Sequence, residues 1–130
     1  AIEFYTKAFG AREIMRVDGA DGKIMHAEIQ IGDSRIMLTD EHPDMKAMGP
    51  KALGGMSAQM YLYVEDVDAR FQQAVAAGAT VVMPVQDQFY GDRTGAVQDP
   101  FGHVWHFATH KEEVSLEEVR KRLAAMPKRA

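Results

Sequence analysis

Ala1-Ile-Glu-Phe-Tyr-Thr-Lys-Ala-Phe-Gly-Ala-Arg-Glu-Ile-Met-Arg-Val17 returns, altered, as Ala69-Arg-Phe-Gln-Gln-Ala-Val-Ala-Ala-Gly-Ala-Thr-Val-Val-Met-Pro-Val85. The stretches are identical at Ala1/Ala69, Ala8/Ala76, Gly10/Gly78, Ala11/Ala79, Met15/Met83 and Val17/Val85. A repeat of this kind marks a duplicated supersecondary unit and sets the architecture before any single motif does. In the first copy Ile2, Tyr5, Ala8 and Phe9 recur at helical spacing. Gly10 is the expected C-cap, and Arg12 to Val17 reads as a strand. In the second copy Asp66 is the expected N-cap, and Val67, Phe71, Ala74 and Val75 form a helical stripe ending at Gly78. Thr80 to Val85 is the strand, where Pro84 marks an edge or a bulge.

Each unit continues in the same way. Asp18-Gly-Ala-Asp-Gly22 is turn chemistry, and residues 24–31 alternate apolar with polar as a half-buried strand does. Gly32-Asp-Ser34 turns the chain into a further strand, Arg35 to Thr39. Residues 41–56 hold prolines, glycines and methionines and read as a linker or mobile flap. Residues 58–64 read as a strand before the second helix. After the 86–92 loop, strands at 93–98 and 104–109 are joined by Asp99-Pro-Phe-Gly102. Ser115-Leu-Glu-Glu118 is a capping box. The expectation is one α+β domain over 1–130: module 1 at 1–40, linker 41–56, module 2 at 57–110 and a C-terminal helix at 115–126. The modules are βαβββ units, except that the first begins inside its helix.

Bulk properties narrow the function. The chain has 130 residues, 46% hydrophobic and 26% charged, enough to bury a core without covalent staples. It has no cysteine, which excludes disulfides, thiolate metal sites and a cysteine nucleophile, and fits a reducing cytoplasm. No apolar run approaches the roughly 20 residues that span a bilayer. A net charge of −4 argues against nucleic acid as partner. The basic cluster Arg120-Lys-Arg122 with Lys128-Arg129 is mixed with glutamates and reads as a solvated helix face.

The order of three motifs adds a resemblance. They are Ala1-Ile-Glu-Phe-Tyr-Thr-Lys-Ala-Phe-Gly-Ala11, His26-Ala-Glu-Ile-Gln-Ile-Gly-Asp-Ser34 with Ile36-Met-Leu-Thr-Asp40, and Gly91-Asp-Arg-Thr-Gly95 with Asp99-Pro-Phe-Gly-His-Val-Trp105. Together they resemble the vicinal oxygen chelate superfamily, the glyoxalase/bleomycin-resistance/dioxygenase proteins, and its PhnB-like branch in particular. The resemblance covers nearly the whole chain. It implies paired βαβββ modules forming an incomplete barrel, usually assembled across two chains of a homodimer. It also implies a strand before the first helix, so the full-length chain is expected to carry roughly ten to twenty further upstream residues, including one ordinary strand.

In metal-dependent members of that superfamily a divalent ion sits on the concave face, held from the first and last strand of each unit. The corresponding positions here are Met37, Gln59 and His106, the fourth belonging to the strand before Ala1. A thioether is a poor ligand for such ions, and metal-dependent members carry Glu where His106 stands. The sequence therefore favours no cofactor; if a divalent metal (Zn, Ni, Fe or Mn) binds, Gln59 and His106 are its expected ligands.

Alternation supplies the rest of the face. With Trp105, Phe107, Met25, Ala27 and Ile29 packed under the helices, the opposite side holds His26, Glu28, Arg35, Met37, Thr39, Gln59, Tyr61, Tyr63 and His106. Aromatic walls with few polar groups suit a small organic ligand. His26 and Glu28 read either as a hydrogen-bonded pair in a solvated groove or as a catalytic acid/base pair. Tyr61 and Tyr63 line the pocket or fill a dimer interface. Arg93 and Asp92 are expected to fix the loop around residues 99–102, and His42, His103 and His110 to face solvent. Met45, Met48 and Met56 are a loose flap or an adaptable wall over the pocket.

Two functions follow. One is a metal-free module binding a small, aromatic or antibiotic-like molecule. The other is a divalent-metal-dependent lyase, isomerase or dioxygenase in which Glu28 or His26 moves a proton. The expected partners are a small-molecule ligand and a second copy of the chain, with no nucleic acid and no membrane, in the cytoplasm.

Overall fold

The computed structural model describes residues 1–128, so Arg129 of the basic cluster lies outside the described residues. The first unit runs α1 (Ile2–Phe9), β1 (Arg12–Asp18), β2 (Ile24–Ile31) and β3 (Ser34–Leu38). The second runs β4 (Met60–Tyr63), α3 (Val67–Ala77), β5 (Thr80–Asp87), β6 (Asp92–Gln98) and β7 (Val104–His110). Between them lie a 3-10 turn at Pro43–Met45 and a one-turn helix α2 (Pro50–Leu53); α4 (Leu116–Ala125) follows. The expected linker is thus structured. Its anchor is His42, whose backbone bridges to Ala47 and whose Nε2 sits 3.2 Å from the Ile24 carbonyl. His42 is 8% exposed, which corrects its expected place in solvent.

The helices end as the residues dictate. Gly10 and Gly78 cap α1 and α3 in left-handed conformations, and the Asp66 carboxylate accepts from the Ala69 amide. Ser115 Oγ accepts from the Glu118 amide, while Glu118 turns its own carboxylate to Arg122.

The strands form two sheets, β1-β2-β3 and β4-β7-β6-β5. Neighbours are antiparallel except β4, which runs parallel to β7. Among the described residues, the outer edge of β3 carries no such partner. Beside it runs a groove of about 430 Å³ bounded by Ala1, Tyr5, Met37, Pro50, Phe101 and Trp105. Pro84 lies in edge strand β5 where the pairing with β6 is irregular, so it is both at an edge and at a bulge.

One core joins the units. Ala27, Ile29 and Ile31 of β2 and Val97, Trp105 and Phe107 of the second sheet belong to the same buried cluster. Helix α1 does not stay over its own sheet. It lies beside α3, stacks Tyr5 and Phe9 on each other, and brings the Phe9 ring within 4.7 Å of the Trp105 ring and 5.2 Å of Phe107. The buried Asp99 fastens this arrangement: its carboxylate accepts from the Tyr5 hydroxyl, Trp105 Nε1 and the amides of Phe101 and His103. The expectation that Met25 packs under the first helix fails, because Met25 is 41% exposed. It lies where β2 leaves the turn, against Gly19.

Candidate functional site

Because strand residues alternate, burying one face of each sheet under the helices sets the other face free. On the first sheet the free face is built by β2 and its partners. Met37 stands opposite Glu28, and Val17 and Met15 stand opposite His26 and Glu28. His26 Nε2 lies 3.4 Å from Glu28 Oε2, and Arg35 Nη1 lies 3.8 Å from Glu28 Oε1. Thr39 is exposed, and its hydroxyl donates to the Ile24 and Met25 carbonyls. Met37 is 66% exposed.

The second sheet presents a denser group. His106 Nε2 and Gln59 Oε1 are 2.6 Å apart, so the imidazole donates to the amide oxygen in the tautomer with Nε2 protonated. Tyr61 stacks on the His106 ring at 5.5 Å and 11°, and Tyr63 follows Tyr61 at 5.6 Å. Beneath them the fully buried Ala96 and Ala108 leave a small-residue floor, registered against His106 and Tyr63. The Tyr63 hydroxyl donates to Asp92 Oδ2, and His110 Nδ1 meets Asp92 Oδ1 at 2.8 Å. Burial and the neighbouring Tyr90 hydroxyl hold the Tyr61 phenol above its ordinary range. The hydrogen bond to Asp92 raises that of Tyr63. Both remain neutral donors at physiological pH.

Thus the structure brings His26, Glu28 and Arg35 together on one sheet, and Gln59, Tyr61, Tyr63 and His106 on the other. Among the described residues no hydrogen bond or ion pair links the two groups. Asp92 and Arg93 do not fix the 99–102 loop. Asp92 serves Tyr63 and His110, while Arg93 forks onto Asp68 and also reaches Asp87. His103 is part-buried with its Nδ1 unpartnered, which corrects its expected place in solvent; His110 is exposed as expected, though tied to Asp92 and Glu113. Arg122 is likewise no free surface cation, since it binds Glu112, Glu118 and the Phe89 carbonyl.

Sequence reasoning missed Tyr90, Asp92 and His110 as members of the second group. The two-residue step from His106 through Ala108 to His110 pointed to the last of these. Asp92 needed the β6–β7 register, and Tyr90 needed the path of a loop.

The donor set does not suit a divalent ion. The Gln59 oxygen is engaged by His106, the residue beside His106 on β6 is Ala96, and Met37 offers only a thioether. Among the described residues no group of three His, Cys, Asp or Glu side chains is arranged to hold a metal ion.

A family model for the Glyoxalase/Bleomycin resistance protein/Dioxygenase superfamily matches residues 1–107. The uncharacterised Mycobacterium tuberculosis protein Rv0887c is 47% identical over 128 residues, 96% of this chain and 75% of that protein. The crystal structure of TioX from Micromonospora sp. ML1 is 34% identical with a TM-score of 0.65, covering 84% of this chain and 86% of TioX. TnmS3 from Streptomyces sp. CB03234, described as an antibiotic binding protein, shares the fold at 21% identity and a TM-score of 0.61, over 85% of this chain and 84% of its own. With the family model spanning most of the sequence and its twofold βαβ-type plan on the page, the chain belongs to the glyoxalase/bleomycin resistance/dioxygenase superfamily.

Proposed function

We propose that this protein binds a small, planar organic molecule against the free face of the second sheet, without a metal ion. The observation that carries the reading is the stack of Tyr61 on His106, continued by Tyr63 and left 45% and 65% exposed at the two tyrosines. Large rings held in register but uncovered offer apolar area to a flat ligand, and the Gln59–His106 pair offers it one polar anchor. The description of TnmS3 as an antibiotic binding protein supports a binding role of this type.

The binding unit is a homodimer in this proposal. Met15, Val17 and Met37 on one sheet and Tyr61 and Tyr63 on the other are each 40–66% exposed, apolar side chains of the kind a second copy covers. A second copy would cover them and set His26, Glu28 and Arg35 opposite the aromatic wall. A cytoplasmic setting is part of the proposal, supported by the cysteine-free composition.

The enzymatic alternative has one specific observation in its favour, the His26–Glu28 pair braced by Arg35. Such a pair can pass a proton if a substrate lies between the faces.

The test is titration of the purified protein with acridine, a flat heteroaromatic with one acceptor nitrogen, followed by fluorescence, together with metal analysis and light scattering. The expected result is saturable binding, its loss in Tyr61→Ala, a dimer mass and substoichiometric metal. Stoichiometric Zn, Ni, Fe or Mn that is lost in His106→Ala would overturn the metal-free reading. Unchanged acridine affinity in Tyr61→Ala would overturn the site.

A further inference from the structure

Residues 88–91 connect β5 to β6 and carry Tyr90 to the edge of the aromatic group. Nothing in the sequence of this loop makes it rigid, yet Gln88, Phe89 and Gly91 are each held. The Gln88 amide donates to the Asp92 carbonyl and its side chain to Thr94 Oγ1. The Gly91 amide donates to the Gln88 carbonyl, closing a tight turn. The segment after β7 then clamps it: the amides of Lys111 and Glu112 both donate to the Gly91 carbonyl. The approach is so close that a Cβ on residue 91 would lie 2.3 Å from the Glu112 carbonyl oxygen, at a φ of +100° that already favours glycine.

The last tie comes from α4. Arg122 Nη1 donates to the Phe89 carbonyl at 3.0 Å and to Glu112 Oε1 at 2.8 Å, while its Nε donates to Glu118. One guanidinium therefore joins the loop, the segment that clamps it and the helix. Its planar fork suits three acceptors in a way a lysine ammonium does not. Tyr90 sits between the two fastened residues, Phe89 and Gly91. Its ring meets Phe89 edge-on at 5.2 Å, Tyr90 is one of the groups that raise the Tyr61 phenol, and the residue after the loop, Asp92, accepts the Tyr63 hydroxyl.

We infer that Arg122 is a positioning residue for the ligand wall: through the Phe89 carbonyl and Glu112 it fixes the 88–91 loop, and so holds Tyr90 beside the wall that Asp92, the residue after the loop, joins through Tyr63. Helix α4 is then part of the binding apparatus and not an appendage. The inference rests on the binding reading above for its consequence, and on the loop geometry alone for its mechanism.

The experiment pairs the acridine titration with amide hydrogen exchange on the parent, Arg122→Ala, Arg122→Lys, Tyr90→Ala and the Arg122→Ala/Tyr90→Ala double variant. Arg122→Ala is expected to speed exchange at Gly91 and Glu112 while leaving Phe107 protected, a pattern that general destabilisation does not give. It is expected to weaken acridine binding about tenfold, with Arg122→Lys recovering part of the loss. The double variant should bind no more weakly than Tyr90→Ala, because the arginine acts through that ring. Equal losses that simply add would overturn the inference, as would unchanged Gly91 exchange in Arg122→Ala. If the parent leaves acridine unbound, the binding reading falls separately. The clamp is then judged by exchange: selective loss of protection at residues 88–92 and 111–112 upholds it, and none overturns it.

Discussion

The two sheets descend from one plan but spend their free faces differently. Where β7 carries His106 opposite Ala96, β3 carries Met37 opposite Glu28. The first sheet has a long carboxylate between an imidazole and a guanidinium; the second has a small-residue floor under a row of rings. The contrast shows where duplication is constrained. On the core side Ala27 and Gly95, in corresponding strands, are both small and buried, Gly95 because the Phe71 ring of α3 presses on β6. On the free side, nothing in the fold dictates the residue, so chemistry can diverge.

The largest effect should come from breaking what the units share. Phe9 is fully buried and touches Trp105 and Phe107 of the other sheet. Phe9→Ala is expected to cost about 3–5 kcal/mol, the usual range for a buried Phe truncation. Trp105 is the single tryptophan, so its fluorescence reports the second unit directly. Denaturant melts followed by Trp105 fluorescence and by circular dichroism should move together. A first unit that unfolds while Trp105 keeps its native emission would show two cores instead of one.

A smaller effect should separate the sheets. A Cβ on Gly95 would lie 2.8 Å from Val85 Cγ2 and 2.9 Å from Phe71 Cδ2. Gly95→Ala is expected to cost about 1–3 kcal/mol by overpacking. The mirror change Ala27→Gly should cost about 0.5–1 kcal/mol, the backbone entropy of an added glycine plus a small void. Chemical denaturation of both variants checks the order. A harmless Gly95→Ala would mean that α3 yields more readily than its contacts imply.

How far the sequence carries can be judged from these residues. The repeat placed α1, α3 and their strands because helix caps and periodicity are local signals. Alternation also assigned Gln59, Tyr61, Tyr63 and His106 to one face, since a two-residue period needs no tertiary knowledge. What it could not reach is long-range. That Phe9 packs on Trp105, and that Asp99 binds Tyr5, depends on how two units dock. Met25 illustrates the limit: its parity matches Ala27 and Ile29, but it lies at the strand end, beyond the reach of the helix. Arg122 illustrates another, for a cation in a mixed run looks solvated until the loop it holds is known.

A still smaller loss tests how firmly α4 is attached to the second sheet. Ser115 Oγ accepts the Glu118 amide at 3.1 Å, and no second side chain shares that task. Ser115→Ala is expected to cost about 1 kcal/mol. Exchange of the α4 amides should rise while those of β2, to which no hydrogen bond from α4 runs among the described residues, stay as they were. A uniform rise across both sheets would instead tie the helix to global unfolding.

The mildest prediction concerns pH and the second sheet. His110 donates toward Asp92 and Glu113, and these hydrogen bonds, the one to Asp92 first, hold its pKa above the ordinary imidazole value. The protonated ring is thus favoured in the folded chain over the unfolded one. Its contribution is fully present below the unfolded value of about 6.5 and disappears as pH rises through the higher folded value. Stability should therefore sag gently as pH rises above about 6.5, and His110→Gln should flatten that stretch of the curve. Half of the ring is open to solvent, so salt should weaken the effect as well. If His110→Gln leaves the slope in place, its proton is not the one that matters to folding, and the Asp92 network is structural only through Tyr63.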